Sequence, residues 1–103
     1  MASAGIYKVS RPATDHVDYD EYREFVVVCR DTYVARHTHP ASTPDNEYPR
    51  RWSKKHDAWV DGYNEPDAYH GWTEDIFNLV IERIGDARPD QKLGVICSSF
   101  RAG

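Results

Sequence analysis

The sequence predicts an α+β domain: a four-stranded, mainly antiparallel sheet in the order β-β-α-(inserted helical segment)-β-β. Three observations predict it. Short apolar runs of strand length recur at residues 25–29, 79–84 and 93–98. A good helix start, Asp31-Thr32, follows the first of them at once. A long segment, about 41–77, divides the chain and is rich in Trp, Tyr, Arg and His rather than Val and Ile.

The elements follow in order. Residues 1–5 read as a frayed tail. Ile6-Tyr7-Lys8-Val9-Ser10 alternates and reads as a first strand, ended by Arg11-Pro12. Residues 13–23 are polar and acidic and read as a loop, with Tyr19 and Tyr22 available to fold back on the core. Phe25-Val26-Val27-Val28-Cys29 is apolar on both faces, which predicts a central strand. A short helix is expected over 32–39, with Val34, Ala35 and Thr38 toward the sheet and Pro40 as its stop.

The inserted segment opens with a loop at 41–46. A structureless stretch of this length is unusual in a compact domain, and Trp52, His56, Trp59 and Val60 fall at i, i+4, i+7 and i+8, one helical face. A helix is therefore expected, with Pro49 in its first turn and Gly62 at its end. Residues 72–77 read as one more short turn, capped by Thr73. The runs at 79–84 and 93–98, joined by a Pro89-containing turn, are expected to form a hairpin. The runs at 25–29 and 93–97 are expected to be the most buried parts of the chain.

The 103 residues are expected to form a single domain, 1–103. A hydrophobic fraction of 40% with 13% aromatics is a globular composition. The net charge of −4 argues against nucleic acid as a partner. No apolar run has the length of a membrane span, and the N-terminus lacks the pattern of a signal peptide. Cys29 and Cys97 lie in apolar runs and are expected to be buried, reduced thiols of a cytoplasmic protein.

Sites of chemistry are sparse. His37 and His39 stand two apart, with His56 and His70 farther on, but no second motif fixes a zinc-ligand spacing, so no metal is expected. Cys97-Ser98-Ser99 lacks a nucleophile elbow and an identifiable His–Asp pair. Asp18-Tyr19-Asp20-Glu21-Tyr22 lacks the glycine turn of a calcium loop. No Gly-rich phosphate loop is present, and no cofactor is expected. Neither catalysis nor a catalytic residue is expected.

The aromatic segment is the best candidate for function. Trp52, Trp59 and Trp72, with Tyr48 and Tyr63, accompany Arg50 and Arg51, and these are the residue types of binding hot spots. The competing reading makes the same rings the cover of the open sheet face. If they pack on the sheet, Tyr48, Arg50, Arg51 and Tyr63 are left at a rim.

Phe25-Val26-Val27-Val28-Cys29, Ala35-Arg36, Val80-Ile81-Glu82-Arg83-Ile84-Gly85 and Gly94-Val95-Ile96-Cys97-Ser98-Ser99-Phe100, with a closing Ala102-Gly103, follow one another in an order that resembles small accessory proteins of about a hundred residues from phages of actinobacteria. The resemblance covers the strands and first helix and assigns no function to any residue. It implies a setting, a viral protein in bacterial cytoplasm acting on a host or phage component. The expected function is therefore a non-enzymatic binding protein for a host protein or a small ligand. The alternatives are a self-associating structural or assembly component and a small enzyme or metal-binding protein.

Overall fold

The computed structural model describes residues 4–17, 20–66 and 70–101. Asp18, Tyr19 and Tyr69 lie outside them, as do residues 1–3 of the expected tail, whereas Gly5 already belongs to the first strand. The elements are β1 (Gly5–Ser10), β2 (Glu21–Cys29), α1 (Thr32–Arg36), β3 (Arg51–Ser53), β4 (Ala58–Val60), a single 3-10 turn (Ile76–Asn78), β5 (Val80–Asp86) and β6 (Gly94–Arg101). Four of them form an antiparallel sheet in the order β5-β1-β2-β6. The architecture of the described residues is thus small α+β, mostly strand, with one short helix.

Register explains which residues form the core. Tyr7 pairs with Val27 and Val9 with Phe25, so these four share one face. They join Cys29, Val95, Ala35, Trp59, Trp72, Ile76 and Leu79 in one buried cluster. Helix α1 packs across β1, β2 and β5 on that side. Asp31 caps it as expected, its Oδ1 accepting the Val34 N–H at 2.9 Å. The opposite face carries Ile6, Lys8, Ser10, Glu24 and Val26, with Lys8 paired to Glu24 at 3.2 Å.

Four expectations are corrected. First, the inserted segment holds no helix at 49–62. It forms the β3–β4 hairpin, in which Trp52 pairs directly with Trp59. A seven-residue separation suits two helical turns and equally suits a hairpin whose strands fold about a four-residue turn. The turn itself decides: Asp57 takes φ +50°, and Ser53 Oγ accepts the His56 N–H at 3.3 Å, which closes the bend locally.

Second, β5 and β6 are not a hairpin. They flank the central β1–β2 pair on opposite edges of the sheet. Third, β6 is an edge strand: Val95 is buried, but Leu93, Ile96 and Cys97 are exposed. Its apolar run therefore mispredicts its position, and Cys97 is not a buried thiol. Fourth, residues 21–23 belong to β2 rather than to a loop, and α1 stops at Arg36, short of His39. Thr38 instead bridges to Arg51, tying the end of the helix to the aromatic hairpin.

No helix among the described residues is long and apolar enough to cross a membrane.

Candidate functional site

The aromatic segment divides into a buried half and an exposed half. Trp59 is completely buried, and its indole Nε1–H donates to the Thr73 carbonyl at 2.8 Å. Trp52 meets it edge to face at 5.3 Å and is half-buried. Trp72 lies 4% exposed against Phe25, ring centres 5.3 Å apart. These three rings roof the sheet, and burial withdraws Trp59 and Trp72 from any binding surface. Tyr48 and Tyr63 have the opposite placement, 76% and 87% exposed. Arg51 is exposed, while Arg50 is half-buried with its carbonyl accepting from Ser42 Oγ at 3.4 Å.

Tyr48 and Tyr63 come together. With Asp61 and Gly62 they line a concavity of about 480 Å³. Local hydrogen bonds build its wall. Asp61 Oδ1 accepts the backbone N–H of Tyr63 at 2.8 Å and of Glu65 at 3.1 Å, an Asx-type turn that presents Tyr63. The Asp61 N–H donates in turn to the Glu65 carbonyl at 2.9 Å. Gly62 lies against Tyr48, so a Cβ there would sit 3.5 Å from that of Tyr48. Asn46 Oδ1 accepts the Tyr48 N–H at 3.0 Å and fixes the other wall. The result is two exposed aromatic side chains and a carboxylate lining one concavity. Among the described lining residues, Arg50, Arg51, Trp52, Trp59 and Trp72 take no part in it.

The histidines have a structural explanation. The Ala41 N–H must donate, so His39 Nδ1 accepts it at 3.1 Å, and Nε2 then carries the proton that goes to the His70 carbonyl at 3.0 Å. His70 repeats the device, its Nδ1 accepting the Trp72 N–H at 3.1 Å while Nε2 faces Glu74 at 3.5 Å. Both rings hold a bend in place by accepting an N–H two residues on. Among the described residues no three His, Cys, Asp or Glu side chains are grouped to hold a metal ion.

A second concavity of about 460 Å³ lies beside the C-terminal end of β2, lined by Cys29, Val34, Leu93 and their neighbours. Its thiol is disarmed. Burial pushes the Cys29 thiol above its ordinary range, and Sγ donates to the Asp31 carbonyl at 3.3 Å. A thiol that keeps its proton is a poor nucleophile.

Arg11 is the residue that sequence reasoning missed. It is 7% exposed. Its Nε donates to the Tyr22 carbonyl at 2.8 Å, and its Nη2 reaches both Glu21 Oε2 at 3.1 Å and the Gly71 carbonyl at 3.3 Å. The only sequence signal was a charged residue directly after an alternating strand, which ordinarily marks a loop.

Comparison with known proteins adds no assignment: no family model, curated protein or solved structure matches this chain.

Proposed function

We propose that this chain is a non-enzymatic binding domain that takes a short segment of a partner protein in the Tyr48–Tyr63 groove. The observation that carries the reading is the pair of highly exposed tyrosines facing one concavity in a segment whose tryptophans are spent on the core. Tyrosine offers a large, rigid contact surface at little entropic cost and is enriched at hot spots. The Asp61 carboxylate in the same concavity as two tyrosines favours a cation. A partner segment presenting a Lys or Arg side chain gains both a charge-assisted hydrogen bond and ring-face attraction there.

The resemblance to accessory proteins of actinobacterial phages suggests the setting, a bacterial cytoplasm in which the partner is a host protein. The test is affinity capture from bacterial lysate with the wild type and with Tyr48→Ser/Tyr63→Ser. Both residues are exposed, so the variant is expected to keep its thermal transition and lose the captured protein. Capture that survives the double change places the binding surface elsewhere.

A further inference from the structure

The two edges of the sheet are built differently. β5 exposes Glu82, Arg83 and Asp86 along its length, the charged side chains that ordinarily keep an edge from pairing. β6 exposes Ile96-Cys97-Ser98-Ser99-Phe100, five residues without a charge or a proline. Its start is already used: the Val95 N–H donates to the Ser42 carbonyl at 2.9 Å, and Pro44 packs against Gly94. The outer edge of β6 thus accepts main-chain pairing, and among the described residues this pairing is at Val95, where the uncharged stretch begins.

We infer that this stretch pairs antiparallel with the same stretch of a second copy, about a twofold axis through Ser98, to give a continuous eight-stranded sheet. The side chains favour a second copy over a foreign strand because the stretch is self-complementary. In that register Ser98 meets its own counterpart, Cys97 meets Ser99 and Ile96 meets Phe100. Ile96 and Phe100 lie two residues on either side of Ser98, and they are 49% and 46% exposed in the single chain. Ile96 is also the extra residue of a bulge, since the pairing with β2 passes from Cys97 to Val95. An aliphatic–aromatic pair forms at each end of the contact, small residues fill its middle, and no like charges meet. A twofold contact closes on itself, whereas head-to-tail pairing of β6 with β5 would run on as a fibre. The Tyr48–Tyr63 groove lies outside the contact residues, so this inference stands independently of the binding function.

Sedimentation equilibrium tests it directly. The wild type is expected to be a concentration-dependent dimer. Ser98→Lys and Ser98→Asp each set like charges face to face on the axis and should each be a folded monomer whose melting temperature no longer depends on protein concentration. An equimolar mixture of the two should regain the dimer. A wild type that stays monomeric at millimolar concentration, or dimers that persist in both single variants, would overturn the inference. A cross-link provides the register: Ser98→Cys in a Cys97→Ser background is expected to form an intermolecular disulfide under mild oxidation, and its absence in a protein that does dimerise excludes the Ser98 axis.

Discussion

The guanidinium of Arg11 lies 5.3 Å from the centre of the Trp72 ring. The same group bonds the carbonyls of Tyr22 and Gly71 and the carboxylate of Glu21. One buried cation therefore clamps the start of β2 to the 70–72 bend and lays that bend's tryptophan on Phe25. The bend also pairs directly with the strand, the Tyr22 N–H donating to the Gly71 carbonyl at 2.7 Å.

Removing this clamp takes a donor from the Tyr22 carbonyl and from the Glu21 carboxylate, and one of two donors from the Gly71 carbonyl, which keeps the Tyr22 N–H. Arg11→Met should cost about 2–4 kcal/mol in urea unfolding. Arg11→Lys should recover little of it, because a single ammonium cannot reproduce the fork that serves three acceptors. Full stability in Arg11→Lys would mean that charge, not geometry, is what the site requires.

Gly71 is the second part of the clamp. It holds φ +76°, and a Cβ there would lie 2.8 Å from the Asp20 carbonyl oxygen. Both the conformation and the contact oppose a side chain, so Gly71→Ala should lose about 1–3 kcal/mol. Gly62→Ala, with an ordinary 3.5 Å contact, is the control and should change the melting temperature little.

The two buried indoles should respond differently to Phe. Trp59 Nε1 donates to Thr73, whereas Trp72 Nε1 is buried with no acceptor among the described residues. Trp59→Phe loses ring volume and a hydrogen bond and leaves the Thr73 carbonyl unserved. Trp72→Phe loses volume but also removes an unserved donor, which offsets about 1–3 kcal/mol of the cost. Calorimetry should find Trp59→Phe the more destabilising of the two.

Much of this architecture was legible in the sequence, and the parts that were not have physical reasons. β2 announced itself because a run of five apolar residues has no other comfortable place than a sheet centre. Asp31 did so because a carboxylate before a helix satisfies free N–H groups. Trp52 and Trp59 did not, because a spacing of seven fits two helical turns and equally a cross-strand pair about a four-residue turn, in which Asp57 takes a positive φ. β6 misled for a related reason: its apolar residues mark an edge with an exposed side, and hydrophobicity alone does not tell a central strand from an edge awaiting a partner. Of the site, Tyr48 and Tyr63 were readable as binding residue types, but Asp61, which aims Tyr63, was hidden inside an ordinary turn.

The cysteines predict a pH dependence. Cys29 keeps its proton to a higher pH when folded than when unfolded. The native state therefore holds more protons in the alkaline range. The associated stability is fully present below the unfolded thiol value of about 8.5 and is lost as pH rises through the folded one. Native protein treated with iodoacetamide should be modified at exposed Cys97 and spared at Cys29, and unfolding should make both reactive. Cys29 modified as fast as Cys97 in native protein would contradict the buried thiol.

The groove itself is best tested with Asp61→Asn. Asparagine keeps the Oδ1 that accepts the Tyr63 and Glu65 N–H groups, so the turn should survive while the charge is removed. Peptides selected from a random displayed library by the wild-type domain are titrated calorimetrically into the wild type, Asp61→Asn and Tyr48→Ser/Tyr63→Ser. The account predicts selected peptides that carry Lys or Arg, affinity about tenfold weaker in Asp61→Asn, and loss of binding in the tyrosine double variant, all at unchanged stability. Peptides without a basic residue, or equal affinity for all three proteins, would contradict it.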